Sequence, residues 1–313
     1  MAVMTDPKAL ITLMKRAIPK LSYELHKGQC GRIGVLGGSE EYTGAPYFAG
    51  ISALKTGADL VHIICPPEAS LVIKSYSPEL IVHPIVRSDF GSDEAKQLLE
   101  RINVLILGPG LGRRFETMTQ FSLWLKSARE MNLPMVIDAD GLYFLTKLPN
   151  LIQGCKNAIL TPNVVEFRHL YSSVMSAEPS EEDAILNVQM LSEKLGNVTV
   201  VRKGKSDIIS NGHVAVTCDL KDAPRRCGGQ GDLLSGSLGT FLYWSDLLGR
   251  CSGEIDHQPV TGNTSLISTI AASYAACSLT RTCGSMAYET YGRSLITTNL
   301  IERIHDAFTQ LFE

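Results

Sequence analysis

Short runs of apolar, mostly β-branched residues recur along the first two thirds of the chain. They lie at residues 32–36, 60–64, 80–86, 104–107, 135–138, 158–160 and 198–201. Continuous apolar runs of this length, without alternating polar positions, are typical of parallel strands that are covered on both faces. The pattern therefore predicts a buried, mostly parallel sheet.

The stretches between these runs have the apolar spacing of helices. In residues 115–131, for example, Phe115, Met118 and Phe121 recur every three or four positions, and residues 181–195 show a similar spacing. Strands and helices thus alternate, as expected of a parallel sheet covered by helices on both faces. The predicted fold class is α/β, a three-layer αβα sandwich.

The pattern changes after Thr217 to long helices rich in small residues. These helices are predicted at residues 231–248 and 264–280, with a closing helix at residues 298–312. The polar stretch 252–263 is predicted to be a surface loop. A small-residue helix such as 264–280 can pack against a copy of itself in a homo-oligomer or within the monomer, and the sequence leaves both open.

Length and composition indicate an ordinary globular protein. The 313 residues are 44% hydrophobic and 19% charged, with a formal net charge of −3. A chain of this size buries a sufficient core without disulfides or metals. Because no region carries charge of a single sign, nucleic acid is not expected as a partner. In the absence of repeats and linkers, residues 1–313 are predicted to form one domain, with residues 1–27 as an N-terminal helical extension within it.

The eight cysteines predict neither a disulfide framework nor a zinc site. They are scattered, with no C-x-x-C pair and no ligand spacing to histidine, so reduced thiols are expected. The N-terminal segment lacks a cleavage site, and no apolar run reaches the length of about 18 residues that a membrane span needs. We therefore expect a cytoplasmic protein without a membrane partner. The basic residues Lys15, Arg16 and Lys20 leave organelle targeting from an alternative start as the other interpretation.

Residues 224–236, PRRCGGQGDLLSG, carry the strongest chemical signal. Gly228, Gly229 and Gly231 precede Asp232 where a helix is predicted to begin. Glycines let backbone N–H groups converge on a phosphate, and the positive end of the helix dipole favours negative charge there. The segment predicts an anion hole, with Asp232 as the base that accepts a proton from an attacking hydroxyl. An N-cap role for Asp232 explains the same spacing.

A second segment, TPNVVEF, follows a predicted strand and opens a helix. It places Asn163 and Glu166 one turn apart on the same side of that helix. Their oxygens suit Mg²⁺, held through water, and ATP chemistry needs such a cation to bridge the phosphates. A capping box, with Asn163 as N-cap and Glu166 as its N3 partner, is the alternative.

Three loops follow other predicted strands. Residues 203–207, KGKSD, are predicted to form a tight turn at a sheet edge, where Lys203 or Lys205 meets either phosphate or solvent. The turn is not a P-loop, because G-x-x-x-x-G-K-[ST] is absent from the chain. Residues 37–46 and 108–112 are glycine-rich loops at the carboxyl ends of strands, the edge where open α/β sheets bind ligands. Sharp turns without a ligand role are the alternative for both.

Asp138 and Asp140 end another predicted strand. Paired carboxylates at this place can support Mg²⁺ or cap the next helix, and the cap is the interpretation we favour. The seven histidines form no cluster, and neither G-x-S-x-G nor H-E-x-x-H occurs. Hydrolase and zinc-protease chemistry is therefore not expected.

Taken together, these segments resemble the ribokinase-like superfamily, whose members pair an N-x-x-E motif with a G-x-G-D anion hole and base. Here the two motifs are residues 163–166 and 229–232. Within the superfamily, the chain is similar to the ATP-dependent (S)-NAD(P)H-hydrate dehydratases, relatives of the C-terminal domain of bacterial YjeF proteins. The resemblance runs from about Gly31 to the C-terminus. It is carried, in order, by GRIGVLGGSEEYTGAP, LGPGLGR, VIDADGL, LTPNVVEF, RKGKSD and RRCGGQGDLLSG.

The resemblance implies a carbon–oxygen lyase of nicotinamide nucleotide repair, with NAD(P)HX and ATP as substrates and Mg²⁺ as cofactor. ATP would phosphorylate the 6-hydroxyl of (S)-NADHX or (S)-NADPHX, and loss of phosphate would return NADH or NADPH beside ADP. Phosphate is a far better leaving group than hydroxide, and this difference explains why a dehydration would consume ATP. No epimerase domain precedes Gly31, so we expect action on the S epimer alone and functional pairing with a separate NAD(P)HX epimerase.

The resemblance also implies roles for individual residues, with Asp232 as the base. The implied substrate-binding residues are Gly110, Asn163, Val164, Val165, Glu166, Phe167, Arg168, His169 and Asp232. The implied ATP-binding residues are Lys203, Gly204, Lys205, Ser206, Asp207, Asp222, Ala223, Pro224, Arg225, Arg226, Cys227, Gly228, Gly229, Gln230 and Gly231, of which the last four form the anion hole. Glu166 is the implied contact to Mg²⁺ through water.

Two other functions fit the same residues. A vitamin-precursor kinase of the hydroxyethylthiazole or hydroxymethylpyrimidine type would use Asp232 and stop at the phosphorylated product. A non-catalytic sensor would bind ATP or NAD(P) and pass the signal to a partner protein, although the intact Asp232 argues against it.

Overall fold

The computed structural model of the chain describes residues 3–86, 91–251 and 264–313. Its strands are β1 (Val3–Met4), β2 (Arg32–Leu36), β3 (Leu60–Cys65), β4 (Ile81–Pro84), β5 (Val104–Leu107), β6 (Met135–Ile137), β7 (Ala158–Leu160), β8 (Thr199–Arg202), β9 (Asp207–Ser210) and β10 (Val214–Cys218). Its helices are α1 (Pro7–Ala17), α2 (Gly44–Thr56), α3 (Pro67–Tyr76), α4 (Ser92–Leu99), α5 (Phe115–Glu130), α6 (Asp140–Lys147), α7 (Val164–Met175), α8 (Ala184–Lys194), α9 (Gln230–Cys251), α10 (Thr264–Tyr291), α11 (Thr297–Glu302) and α12 (Ile304–Phe312).

All ten of these strands belong to one sheet, in the order β1-β10-β9-β8-β7-β6-β5-β2-β3-β4. The neighbours from β4 across to β8 are parallel, whereas β9 is antiparallel to both β8 and β10. The carboxyl ends of the parallel strands therefore meet along one edge. The predicted class, an α/β fold with a mostly parallel sheet, is confirmed.

Alternate residues of the central strands enter two separate cores, one on each face of the sheet. Ile106 packs into the core beneath α2, α9 and α10, and Leu107 packs into the core beneath α5 and α6. Both side chains are 0% exposed. Burial of an aliphatic side chain of this size contributes about 1.5–3 kcal/mol, so a continuous apolar run is stabilised on both faces.

Most predicted elements agree with the structure to within a few residues. Strands β2, β5 and β7 have the predicted bounds. Helix α8 begins later than predicted because the side chain of Asp183 accepts a hydrogen bond from the backbone N–H of Leu186 over 2.9 Å and caps the helix there. The predicted closing helix is divided into α11 and α12.

The two ends of the chain differ most from the prediction. Residues 3 and 4 form a short strand that pairs in parallel with β10, so the predicted helical extension also adds a strand to the sheet. Helix α10 extends to Tyr291, and Ala272, Ala275 and Ala276 on it are 0% exposed within the chain's own core. These three side chains pack within the monomer and are not available to contact a second copy. The predicted surface loop at residues 252–263 lies outside the described residues.

Candidate active site

A cleft of about 760 Å³ opens at the carboxyl ends of β6, β7 and β8, against the first turn of α9. This is the sheet edge at which ligands bind in open α/β folds. The predicted residues that line it are Asn163, Val164, Val165, Glu166, Lys203, Gly204, Lys205, Asp207, Asp222, Arg226, Cys227, Gly229, Gln230, Gly231 and Asp232. Segments that are far apart in the sequence are thus brought together at one place.

The glycine turn before α9 has free backbone donors. In the part of the chain that the structure describes, the backbone N–H groups of Gly228, Gly229, Gln230 and Gly231 donate to no protein acceptor. Gly229 has a φ of 94°, and a Cβ at this position would lie 2.9 Å from side-chain atoms of both Phe48 and Thr297. A side chain is therefore excluded at Gly229. The turn can present N–H groups to an anion at the positive end of a helix.

Asp232 lies in the first turn of α9 and lines the cleft. Burial, followed by the negative charge of Asp138, raises the pKa of the Asp232 carboxyl well above its ordinary value, against the opposing charge of Lys203. A carboxylate with a raised pKa is a stronger base than an ordinary one. Asp232 thus combines access to the cleft with a raised pKa, as expected of the predicted base.

Lys203 forms an ion pair with Asp138 at the side of the cleft. Its Nζ lies 2.9 Å from Oδ1 of Asp138, and the two side chains are 20% and 2% exposed. Burial alone would lower the pKa of Lys203, but the carboxylates of Asp138 and Glu166 outweigh this effect and hold its pKa above the ordinary value. The lysine therefore stays charged in the cleft.

Asn163 and Glu166 form the capping box that was the alternative interpretation of their spacing. Oδ1 of Asn163 accepts from the backbone N–H groups of Val165 and Glu166 at 2.9 and 3.0 Å, and Oε2 of Glu166 accepts from that of Asn163 at 2.8 Å. Both residues nevertheless line the cleft. Burial raises the pKa of Glu166, opposed by the charge of Lys203. The cap therefore fixes these two side chains at the edge of the cleft.

The preferred role of Asp138 and Asp140 as helix caps is wrong. Helix α6 has Ala139 at its N-cap position and no side-chain cap. Asp138 pairs with Lys203, whereas the carboxylate of Asp140 accepts from the backbone N–H of Gly112 and from Nε of Arg113 at 2.9 and 2.8 Å. Asp138 belongs to the cleft, and Asp140 joins two loops of the sheet edge.

Arg281 of α10 is a cleft residue that the sequence analysis missed. Its guanidinium donates to Oδ2 of Asp207 at 2.7 Å and to the carbonyl oxygens of Gly204, Lys205 and Leu220 at 3.0, 3.0 and 3.2 Å. The turn at residues 203–207 is thereby held from behind. An arginine within a helix of small and apolar residues was the available signal, because a buried charge needs partners.

Some predicted residues do not line the cleft. They are Gly110, Phe167, Arg168, His169, Ser206, Ala223, Pro224, Arg225 and Gly228. The side chain of Phe167 is part of the core and packs on Tyr171 with ring centroids 5.7 Å apart. Arg225 supports the glycine turn, since its Nε donates to the carbonyl oxygen of Leu295 at 2.9 Å.

Gly110 lies where the loops after β2 and β5 meet. A Cβ at Gly110, whose φ is 64°, would lie 2.7 Å from the carbonyl oxygen of Tyr42. The neighbouring backbone N–H of Gly38 donates to the carbonyl oxygen of Pro109 at 2.9 Å. A second cavity of about 480 Å³, lined in part by Gly38, opens between these loops. The two glycine-rich loops, residues 37–46 and 108–112, thus border a second cavity along the same sheet edge as the cleft.

The fold and the cleft define a ribokinase-like protein with an aspartate at a glycine-started helix. A ribokinase-like superfamily protein from Enterococcus faecalis superposes with a TM-score of 0.75 at 20% identity, covering 98% of this chain and 95% of that one. An ADP/ATP-dependent NAD(P)H-hydrate dehydratase from Bacillus subtilis, co-crystallised with ATP and Mg²⁺, gives a TM-score of 0.70 at 19% identity, covering 96% and 97%. These similarities confirm the ribokinase-like fold.

Sequence comparison identifies the family. The family model described as NAD(P)H-hydrate dehydratase matches residues 33–306. The ATP-dependent (S)-NAD(P)H-hydrate dehydratase of Pongo abelii is 47% identical over 98% of this chain and 91% of its own length, and that of Homo sapiens is 47% identical over 98% and 86%. The chain belongs to the NAD(P)H-hydrate dehydratase family, an enzyme family. The predicted enzyme class is confirmed.

The comparisons favour the dehydratase among the predicted functions, because the curated relatives at 47% identity are ATP-dependent (S)-NAD(P)H-hydrate dehydratases. A hydroxyethylthiazole kinase from Pyrococcus horikoshii superposes with a TM-score of 0.61 at 14% identity, covering 96% of each chain, and this similarity concerns the fold alone. In the described part of the chain, no helix is both long and apolar enough to cross a membrane.

Proposed function

We propose that the cleft catalyses the ATP-dependent dehydration of (S)-NADHX and (S)-NADPHX to NADH and NADPH, with Asp232 as the general base. The observation that carries this proposal is Asp232 itself, a basic carboxylate beside the unpaired N–H groups of the glycine turn. The base and the anion hole are thus adjacent, as phosphoryl transfer to an alcohol requires. The family relationship supplies the identity of the alcohol.

In the first step, the hydroxyl oxygen of the substrate forms a bond to the γ-phosphorus of ATP. The bond from that phosphorus to the bridging oxygen of ADP breaks, and the hydroxyl proton passes to Asp232. The N–H groups of residues 228–231 would stabilise the charge on the phosphoryl oxygens, and the ammonium of Lys203 adds a positive charge nearby. The residues of the cleft thus supply both proton acceptance and charge stabilisation.

In the second step, the carbon–oxygen bond breaks and phosphate leaves. The neighbouring ring carbon loses a proton to water, and the electron pair of that carbon–hydrogen bond restores the nicotinamide double bond. Because phosphate carries away the electron pair far more readily than hydroxide, the energy of ATP is used to convert a poor leaving group into a good one. ADP and phosphate are the expected co-products.

Mg²⁺ is proposed as the cation that accompanies ATP. Among the described residues, no group of three or more His, Cys, Asp or Glu side chains could form a protein cage for a metal. Mg²⁺ usually keeps several waters and binds chiefly to the phosphates of its nucleotide, so a cage is not needed. Oε2 of Glu166 accepts the capping hydrogen bond, which leaves Oε1 to hold a magnesium-bound water. When bound, the cation would neutralise phosphate charge.

A separate epimerase and a cytoplasmic location are also part of the proposal. An enzyme specific for the S epimer leaves the R epimer untouched, so complete repair requires a partner that interconverts the two. The seven cysteines whose side chains the structure describes are free, as is typical of proteins from reducing compartments.

The proposal is tested by mixing purified protein with ATP, Mg²⁺ and (S)-NADHX and following the absorbance of NADH. The wild type should regenerate NADH, and Asp232→Asn should slow turnover by about 10²–10⁴-fold while retaining ATP binding, since a general base contributes an effect of this size. The control is Asp306→Asn, whose side chain is 52% exposed on α12. ADP formation without NADH would contradict the dehydratase function, and wild-type turnover by Asp232→Asn would contradict the base.

A further inference from the structure

Asp138 occupies an unusual place at the end of β6. The residue is 1% exposed, and its Oδ1 accepts hydrogen bonds from Nζ of Lys203 and from the backbone N–H of Ala139, each at 2.9 Å. Ala139, the next residue, has φ 47° and ψ −119°, a conformation that residues with a Cβ rarely adopt. The chain therefore leaves β6 through a strained residue, and the carboxylate of Asp138 reaches the cleft.

The Asp138–Lys203 pair lies against the first turn of α9. A Cβ at Gly231 would be 3.3 Å from Nζ of Lys203 and 3.7 Å from Oδ2 of Asp138. Gly231 belongs to the predicted anion hole and immediately precedes Asp232. The pair is consequently in contact range of the backbone that would surround a transferring phosphoryl group.

Lys203 has more than one carboxylate nearby. The negative charges of Asp138, Glu166 and Asp232 all act on it. Within the described residues, however, its ammonium donates a hydrogen bond only to Asp138. The backbone of Lys203 is also fixed, since its N–H donates to the carbonyl oxygen of Pro162 at 2.8 Å. One carboxylate of the three thus determines where the ammonium lies.

Stability alone is a weak explanation for this arrangement. The attraction between two buried charges is largely offset by the loss of their hydration, so a buried ion pair adds little net stability compared with apolar side chains. The strained backbone at Ala139 adds a further cost. Since both costs are incurred at the edge of the cleft, a role in the reaction accounts for the pair better.

We propose that Asp138 is a positioning residue for phosphoryl transfer, which fixes the ammonium of Lys203 beside Gly231 where the γ-phosphoryl group passes. The inference rests on the proposed function. As the phosphorus–oxygen bond to the substrate forms and that to ADP breaks, the hydroxyl proton goes to Asp232, and Lys203 keeps its own protons. Asp138 touches no reacting atom and acts through Lys203.

The same geometry predicts a pH effect. The charged groups that act on Asp232 are Asp138, from the end of β6, and Lys203, from the segment after β8, while Glu166 of α7 acts on Lys203. Removing the negative charge of Asp138 stabilises the ionised form of Asp232 and lowers its pKa. The acid limb of the pH profile of kcat should therefore move to lower pH in Asp138→Asn. This shift tests the proximity of the two carboxylates, whereas kcat and its coupling to Lys203 test the positioning role.

The test is a double-mutant cycle of Asp138→Asn and Lys203→Met, measured as NADH regeneration with calorimetric ATP binding. Asp138→Asn should lower kcat by about 10- to 100-fold, the size of effect known for groups that orient a metal ligand. The double variant should be no slower than Lys203→Met alone, because residues that act as a unit are not additive. Additive losses, a full rate in Asp138→Asn or an unmoved acid limb would each overturn the inference.

Two controls keep the outcomes separate. Asp59→Asn changes a carboxylate that accepts from the backbone N–H groups of Gly28 and Cys30 at 2.7 and 2.9 Å, outside the cleft, and should retain the wild-type rate. If Asp138→Asn does not fold, the double variant still leaves no lone buried charge, and a slower rate than Lys203→Met then overturns the inference. A wild type that regenerates no NADH contradicts the proposed function instead. The ATP affinities of the single and double variants, measured by calorimetry, then still test the coupling between Asp138 and Lys203.

Discussion

Nε of Arg281 lies 2.7 Å from Oδ2 of Asp207, and both side chains are almost fully buried, at 5% and 11% exposure. The guanidinium therefore joins α10 to the turn at residues 203–207, whose carbonyl oxygens also accept from it. The wall of the cleft that this turn forms therefore depends on a cation from a distant helix.

Arg281→Met should destabilise the protein strongly, because it leaves the carboxylate of Asp207 buried without its partner. The expected loss is about 3–5 kcal/mol, the range for removal of one member of a buried pair. Chemical denaturation would measure it. Arg281→Met/Asp207→Asn should recover part of the loss. Lys221→Met, in a pair whose side chains are 78% and 67% exposed, should change stability by no more than about 1 kcal/mol. Equal effects of Arg281→Met and Lys221→Met would contradict this interpretation.

Gly229→Ala should disturb the glycine turn. At a φ of 94°, a Cβ would meet Phe48 and Thr297, so we expect a loss of stability of about 1–3 kcal/mol, the cost of such backbone strain. Gly228→Ala is the matched comparison, because a Cβ there has no heavy atom within 4 Å. Thermal unfolding of the two variants would test the difference. A larger loss in Gly228→Ala would show that the turn differs from the one described.

Stability should fall in mild acid because of a histidine pair on β3 and β4. Nδ1 of His62 lies 2.9 Å from Nε2 of His83. Burial, followed by the charges of His83, Arg101 and Arg32, lowers the pKa of His62 from 6.5 to about 4. The unfolded chain takes up this proton near pH 6.5 and the folded chain only near pH 4, so stability is full above the higher value and declines as the pH falls between them.

His62→Gln should make that decline smaller, by an amount on the order of 2 kcal/mol between neutral pH and the acid end of the window. Denaturant unfolding of wild type and variant at a series of pH values would measure it. The pKa of His83 is also lowered by burial and by the charges of Arg101 and Lys74, so part of the decline should persist in the variant. Identical pH dependence in both proteins would contradict the assignment to His62.

The sequence predicts the sheet well, for a local reason. In β5 (Val104–Leu107) each residue is apolar, because both faces of the strand are covered. Such a run has no competing interpretation as an amphipathic helix or an exposed strand. By contrast, the two-residue β1 is too short to carry a pattern, and only its pairing with β10 makes it a strand.

The site is less predictable, since its contacts join distant segments. Asp138 precedes a helix and has the local pattern of a cap, but Ala139, with φ 47° and ψ −119°, takes the N-cap position and the carboxylate of Asp138 pairs with Lys203. No property of the sequence near Asp138 indicates that conformation. Likewise, the contact between Arg281 of α10 and Asp207 of β9 joins residues that are far apart in the sequence. Asp232 was predictable because its glycines and its helix start are contiguous in sequence. Its assigned role stays a prediction.

The glycine turn before α9 and the loops after β2 and β5 come from separate stretches of the chain, although they share one sheet edge. Insertions or substitutions in the two loops would reshape the cavity between them and leave the turn as it is. The glycine turn and the cavity between the loops can therefore be altered by substitutions in separate stretches of the chain, although both lie along the same strand ends.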